Sequence, residues 1–186
     1  MGCTVFKYLS RGRSLCLLPW LSGLCAGPAM ADDTSIIWPA GWEVQVLATS
    51  DAPGQASRQR AVKADANGDP AMVVELTRST LAADHDVNVS AVLLQMRKTL
   101  QIDFSKGGYQ SVCNSIHPGT LGNLPAMETT CKILLNGGHV MTQTLVAATA
   151  KHTAWSLSYA GSAQGYSNNE TEVKSIRNAL IFNLQP

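Results

Sequence analysis

The sequence predicts an α+β domain: a mostly antiparallel sheet with a long central helix and a C-terminal helix packed on it. Two observations carry this prediction. Short stretches rich in apolar and β-branched residues recur along the chain with only short turn signals between them, which favours antiparallel neighbours, because parallel strands need long crossovers. Two other segments repeat their apolar residues with the 3.6-residue period of a helix. The resulting order is strands, helix, strands, helix.

The N-terminus has the layout of a cleavable secretory signal. A basic stretch is followed by the apolar run 15–26 (LCLLPWLSGLCA), which is shorter than the roughly 20 residues of a membrane-spanning helix. Ala29-Met30-Ala31 then offers small residues at both positions that a signal peptidase recognises. We therefore predict cleavage between Ala31 and Asp32, with a signal peptide over 1–31 and a single α+β domain over 32–186.

A signal of this kind predicts a periplasmic protein with no membrane span in its mature part. Extracellular release is an alternative, and a second is a lipid anchor at Cys25. The segment Leu21-Ser22-Gly23-Leu24-Cys25 resembles a lipobox, but Leu24 stands where a small residue is required.

Composition excludes some classes of partner. The whole chain has 14 Lys and Arg against 13 Asp and Glu. The signal removes three basic residues and no acidic ones, so residues 32–186 carry 11 against 13, a formal charge of −2. This near-neutral balance argues against nucleic acid as a partner.

In the first half of the mature chain, Trp42 to Ala48 is predicted as a strand. Arg58–Ala64 and Ala71–Arg78 follow as a hairpin around Asn67-Gly68, the dipeptide favoured by a type I′ turn. The long helix is predicted from Val89 to Lys106, with Asp86 or Asn88 as its N-cap and Gly107-Gly108 as its stop.

The second half is predicted as further strands and a closing helix. The strands are Tyr109–Cys113, Met127–Leu135, His139–Ala148 and Thr153–Ala160. His117-Pro118-Gly119 and Leu121-Gly122-Asn123 are typical of turns. The last helix is predicted near Asn169–Ile181, with Ser167 and Glu170 as a capping box.

Two cysteines remain after the signal, Cys113 and Cys131. In an oxidising compartment such a pair is first predicted to be a disulfide. A hairpin centred on Gly122 pairs residues whose numbers sum to 244, and these two cysteines do. Directly opposed Cα atoms lie roughly 4.5 to 5.5 Å apart, which a disulfide accepts. A redox-active or metal-binding pair is the rival interpretation, and it lacks the Cys-x-x-Cys spacing.

Several segments of the mature chain together resemble a known family. They are WPAGWEV, RQRAVKADANGDPAMVVELTR, GGYQSVC, LGNLPAMETTC, TQTLVAA and AWSLSYAG. In these the chain resembles a family of small periplasmic proteins of Gram-negative bacteria known as a domain of unknown function, of the DUF4946 type. The resemblance implies a location and no activity.

The order of elements is also similar to the PsbP-like α/β/α sandwich, which DcrB and its relatives share. That resemblance implies a binding or accessory role, because most members of the fold are non-enzymatic docking proteins. Fold alone is weak support for function.

No metal, cofactor or catalytic site is predicted. The loop beginning Asp65-Ala66-Asn67-Gly68-Asp69 has Pro70 and Leu76 where an EF-hand needs Gly and Glu. The four histidines (His85, His117, His139, His152) have no metal-ligand spacing. His117 is predicted as a turn residue, and Asp84-His85-Asp86 as acidic residues preceding a helix N-terminus.

Nucleophilic catalysis has no sequence signature either. In Gly161-Ser162-Ala163-Gln164-Gly165 the serine is not central, so the segment is not a nucleophile elbow. Its glycines are predicted to form the loop before the last helix.

Trp38, Trp42 and Trp155 are the tryptophans of the mature chain, and the last two are predicted to fill the core. Trp38 lies outside the first predicted strand and is a possible surface anchor, since Trp is enriched at interfaces.

The sequence therefore favours an exported, non-enzymatic binding or accessory module of the cell envelope, with an envelope protein or a small ligand as partner. The alternative is a hydrolase-type enzyme whose site assembles only in three dimensions. Histidines and carboxylates converging on one deep pocket would favour the enzyme. A shallow apolar groove would favour binding.

Overall fold

The computed structural model describes residues 34–47, 56–82 and 86–182. Within these ranges there are ten strands and two helices. The strands are β1 (Thr34–Ser35), β2 (Trp42–Leu47), β3 (Ala56–Ala64), β4 (Pro70–Thr80), β5 (Gln110–Cys113), β6 (His117–Leu121), β7 (Leu124–Leu135), β8 (Gly138–Ala150), β9 (Thr153–Ser162) and β10 (Ile181–Phe182). The helices are α1 (Val89–Lys106) and α2 (Ala163–Asn178).

Eight strands form one antiparallel sheet in the order β2-β3-β4-β9-β8-β7-β5, and β6 also pairs with β7. β1 and β10 form a separate antiparallel pair. The predicted α+β class with a mostly antiparallel sheet is confirmed. None of the helices in the described part of the chain is long and apolar enough to cross a membrane.

The two helices pack on opposite faces of the sheet. On β8, Leu145 and Ala147 lie in a cluster with Leu93 of α1, while Val146 and Ala148 lie in the main core with Val173 of α2. Because successive side chains of a strand point to opposite faces, these two sets lie on different sides. We call the sides the α1 face and the α2 face.

The α2 face holds most of the core. Trp155, Leu157 and Tyr159 of β9 are at most 3% exposed and pack with residues of β4 and α2. The rings of Tyr159 and Tyr166 stack with centroids 5.8 Å apart. Burial of large aromatic side chains contributes strongly to stability, so this face is the main source of the fold's stability.

Helix α1 has the bounds that the sequence predicts, Val89 to Lys106. Asn88 is its N-cap, and its Oδ1 accepts a hydrogen bond of 3.0 Å from the backbone N–H of Ala91. The helix ends at Gly107, whose N–H donates to the carbonyl of Phe104 over 3.0 Å. The side chain of Asn88 therefore fixes the start of the helix, and the hydrogen bond of Gly107 closes its last turn.

Helix α2 begins earlier than the sequence indicates, and the predicted capping box is wrong. Its N-cap is Ser162, whose Oγ accepts from the N–H of Gly165 over 2.9 Å, and Ser167 lies inside the helix. The glycines are not a loop. Gly161 lies in β9 and Gly165 in the first turn of α2. A Cβ on Gly165 would lie 2.2 Å from the carbonyl oxygen of Ala71.

The hairpin between β3 and β4 is confirmed, but its turn is not the predicted type I′. That turn needs positive φ at both central residues, and Gly68 (φ +89°) has it while Asn67 does not. Asp65 shapes the loop instead, because its Oδ1 accepts from the N–H groups of Asn67 (2.8 Å) and Asp69 (3.0 Å). A two-residue turn with both φ angles positive occurs at Asn136-Gly137 (50° and 80°), between β7 and β8.

His117-Pro118-Gly119 is not a turn. It opens β6, which pairs with the first part of β7. Pro118 is tolerated because β6 lies at the edge of the sheet, where a missing N–H costs little. The turn that joins the two strands is formed by Gly122 and Asn123, with Gly122 at φ +55°.

Cys113 and Cys131 form a disulfide and are directly opposed partners on β5 and β7. Their Cα atoms lie 3.9 Å apart, closer than the sequence-based expectation. The numbers of the β5–β7 pairs sum to 244, as predicted, but those of the β6–β7 hairpin sum to 245, as in His117 with Glu128. Three residues separate Cys113 from His117, whereas only two separate Glu128 from Cys131. This one extra residue between β5 and β6 changes the sum from 245 to 244 and so places the two cysteines opposite each other.

Candidate functional site

A groove lies on the α1 face, between α1 and the part of the sheet that no described helix covers. Helix α1 contacts β5, β7 and β8, whereas on this side the described part of the chain places no helix over β9, β4 and β3. Two adjoining pockets of about 470 Å³ and 570 Å³ form the groove. Both are lined by Thr77, Met96 and Ser156, which makes them one continuous surface.

The first pocket, at the N-terminal end of α1, is mostly apolar. Its wall on α1 comprises Val89, Val92 and Met96, and its floor includes Ala147 and Ala154. Val92 is 43% exposed, an unusual value for an apolar residue on the inner side of a helix. We call this region the apolar half.

The second pocket lies farther along α1 and is more polar. Its lining combines Arg58, Glu75, Gln143 and Asp103 with Leu100. The side-chain amide of Gln143 donates to Ser158 Oγ over 2.9 Å, and Lys106 Nζ donates to Asp103 Oδ1 over 2.8 Å. We call this region the polar half.

The hydroxyl groups of the groove floor face the groove because successive side chains of a strand point to opposite faces. Ser156 and Ser158 of β9 and Thr77 of β4 alternate with buried residues of the α2 face. A face covered by another layer is normally apolar. A floor of small hydroxyl side chains, half exposed, is suited to contact with water or with a polar ligand.

A second polar cluster, away from the groove, joins β6, β7 and α2. Arg177, with 9% of its side chain exposed, forms an ion pair with Glu128, and its Nε donates to the carbonyl of Thr120 over 2.6 Å. His117 Nε2 lies 3.1 Å from the other oxygen of Glu128. A Cβ on Gly119 would lie 2.6 Å from the Glu128 carboxylate, so this glycine makes room for the pair.

This cluster positions α2 against the sheet edge. Arg177 is satisfied by a carboxylate and a carbonyl, and none of the three side chains lines the groove. Among the described residues that do line the groove there is no histidine. In the described part of the chain, no three His, Cys, Asp or Glu side chains are grouped to hold a metal ion.

Tyr166 and Glu172, both on α2, have shifted pKa values. Burial raises the pKa of Tyr166 well above its usual 10, and its hydroxyl bonds Thr144 Oγ1 at 2.7 Å. Lys63 donates to Glu172 and lowers the pKa of that carboxyl below its usual range. Both groups hold structure together on the side opposite the groove.

The residues predicted as sites are dispersed. The disulfide lies at the sheet edge, and Trp38 packs half-buried against the core with its ring centroid 5.8 Å from that of Trp42. The predicted cleavage site at Ala31 and Asp32, the cysteine Cys25 and the histidine His85 lie outside the described residues. The groove itself was not predicted, because its lining comes from β3, β4, α1, β8 and β9.

Solved structures with a similar fold include the cyanobacterial PsbP protein CyanoP from Synechocystis sp. PCC 6803. That structure has 12% sequence identity and a TM-score of 0.58, and the match covers 81% of this chain and 86% of that one. This likeness shows a shared PsbP-like fold. LpqN of Mycobacterium tuberculosis, described as involved in cell envelope biogenesis, is 20% identical over 79% of this chain and 81% of its own, with a TM-score of 0.49.

No curated protein matches the sequence. A sequence profile of the family described as Domain of unknown function (DUF4946) matches residues 33–182, which is most of the chain. The resemblance noted in the sequence is thereby confirmed, and the protein belongs to the DUF4946 family.

Proposed function

We propose that this protein is an exported, non-enzymatic binding module of the cell envelope and that the groove on the α1 face is its ligand site. The observation that carries the proposal is the incomplete cover of that face. Helix α1 presents Val92 and Met96 to an open pocket, where a helix of a closed domain would bury such residues against the sheet.

The size and character of the groove suit a small ligand. Ligand pockets usually enclose about 300 to 1,000 Å³ and combine an apolar lining with a few polar groups. The apolar half falls in this range at about 470 Å³. The hydroxyl groups of Thr77 and Ser156 at its border supply hydrogen-bonding partners.

A neutral, environment-sensitive fluorophore such as Nile red tests the site. We expect protein expressed from the full-length chain to bind the dye with a rise in emission. Val92→Arg should weaken binding at least 10-fold, because a charged side chain then fills the apolar half, and it should leave the melting temperature nearly unchanged, since Val92 is 43% exposed.

Val112→Arg is the matched control. Val112 is 59% exposed on the edge strand β5 and does not line the groove. If both variants bind the dye like the unaltered protein, the groove is not the site and the proposal is wrong.

The export part of the proposal rests on the signal-like residues 1–31 and on the disulfide, which forms in oxidising compartments. The intact mass of protein recovered from the periplasm tests it. We expect a chain beginning at Asp32, and a lipid-modified chain beginning at Cys25 would instead place the protein on a membrane.

A further inference from the structure

We propose that the ligand of the groove is a single-chain amphiphile with an anionic head group. Its hydrocarbon chain would lie in the apolar half and its head group beside Arg58 in the polar half. This inference rests on the proposed function and adds the chemical class and the orientation of the ligand.

Two guanidinium groups make the polar half attractive to an anion. Arg58 lines the pocket, and Arg60 is two residues away on the same strand and therefore on the same face. Neither side chain has an ion pair or hydrogen bond to any described residue, and Arg60 Nε is buried without a partner. Guanidinium groups match carboxylates and phosphates in geometry and charge.

The neighbouring carboxylates offset Arg60 more than Arg58. Glu75 lies directly opposite Arg60 in the β3–β4 register, and Glu43 of β2 lies on the same face, two residues from Gln45, which pairs with Arg60. Asp103 is engaged with Lys106 on α1. Arg58, opposite Thr77, is then the cation that remains for a ligand.

The charges also set the direction in which the ligand lies. Asp86 lines the far end of the apolar half, where its carboxylate repels an anionic head group. The apolar half therefore takes the hydrocarbon chain, and the head group lies at the Arg58 end.

The groove is long enough for one extended hydrocarbon chain. Ser79 lines the apolar half and Glu75 the polar half, and four residues along a strand span roughly 13 Å. A volume of about 470 Å³ is at the small end for ligand sites, which favours one hydrocarbon chain over two.

Displacement of the bound neutral dye tests the head-group charge. We would compare three ligands with the same chain below their micelle-forming concentrations: dodecanoate, the neutral dodecanamide and the cationic dodecyltrimethylammonium. We expect dodecanoate to displace the dye at a concentration at least 10-fold lower than the amide, with the cation weakest. In Arg58→Gln/Arg60→Gln the three should agree within about 2-fold, with each displacement expressed relative to that variant's own affinity for the dye.

Lys98→Gln is the control variant, since Lys98 is an exposed cation on α1 that does not line the groove. It should keep the preference for dodecanoate. Equal displacement by the three ligands in the unaltered protein would overturn the inference and leave the groove as a neutral apolar site. A preference that survives in the double Arg variant would overturn it as well. Failure of the dye to bind the groove at all would refute the proposed function itself.

Discussion

The two faces of the sheet differ in how completely they are covered. On the α2 face, Tyr159 of β9 and Tyr166 of α2 stack, and Gly165 brings α2 close to the backbone of β4. On the α1 face, the same strands present Ser156, Ser158 and Thr77, and α1 covers only the other half of the sheet.

Strand β8 shows where the difference begins. Its residues 144–148 are all buried, because α1 and α2 both pack on this strand. One strand further, β9 alternates buried and half-buried residues, because α2 is the one described helix that covers it. Most of the described core therefore lies on the α2 face, and the less covered α1 face is where we propose that a ligand binds.

If the α2 face contributes most of the stability, breaking the buried Arg177–Glu128 ion pair should cause the largest loss in the free energy of unfolding. Arg177→Met leaves Glu128 without its main partner, and removing one member of a buried pair costs about 3 to 5 kcal/mol. Urea unfolding measures the loss. Arg58→Met on the α1 face serves as the control and should change stability by less than about 0.5 kcal/mol; similar losses in both variants would erase the distinction between the faces.

A substitution at Gly122, where Leu180 lies close to the β6–β7 turn, should lower stability nearly as much. A Cβ on Gly122 would lie 2.0 Å from the carbonyl oxygen of Leu180, and its φ is +55°. We expect Gly122→Ala to lower the free energy of unfolding by about 3 kcal/mol. Gly137→Ala shares a positive φ, but its Cβ would have no neighbour within 4 Å, so it should lose only about 1 kcal/mol. Equal losses would mean that backbone strain alone, and no close packing, acts at Gly122.

The disulfide joins β5 to β7 at the sheet edge. Its two cysteines are 18 residues apart, and the chain-entropy estimate for a loop of that length is about 3 kcal/mol. We expect Cys113→Ala/Cys131→Ala to lose about that much in thermal unfolding, with dye binding retained. A double variant with an unchanged melting temperature would show that the bond forms without holding the fold.

A smaller effect should come from the Lys63–Glu172 pair on the α2 side. Because the folded-state pKa of Glu172 is lowered, the pair adds stability above the carboxyl's ordinary pKa, and this is lost as the pH falls through the folded-state value. The contribution of such a partly exposed pair is below about 1 kcal/mol. Urea unfolding at pH 7 and pH 3 should show a smaller difference in Glu172→Gln than in the unaltered protein, and an unchanged difference would contradict this.

The sequence predicts elements well where local and tertiary signals agree. Helix α1 is predicted to the residue because Asn88 caps it and a regular apolar stripe follows. Helix α2 is misplaced because Gly165, a poor helix former, is required there by its contact with Ala71. That contact is invisible in the sequence.

Strand β6 and the groove were also not predicted, because both depend on packing between distant segments. His117-Pro118-Gly119 has the composition of a turn, and only its position at a sheet edge makes it a strand. The groove depends on what α1 leaves uncovered, a property of packing between distant segments. No local pattern along β4 or β9 encodes it.

We expect ligand to bind on the α1 face and not on the α2 face. Nuclear magnetic resonance of the ¹⁵N-labelled protein, titrated with dodecanoate, distinguishes the two faces residue by residue. We expect changes in amide chemical shift concentrated at Thr77, Met96 and Ser156, with Val173 and Tyr166 unaffected. Shifts concentrated on α2 or around Trp38, or none at saturating ligand, would contradict it.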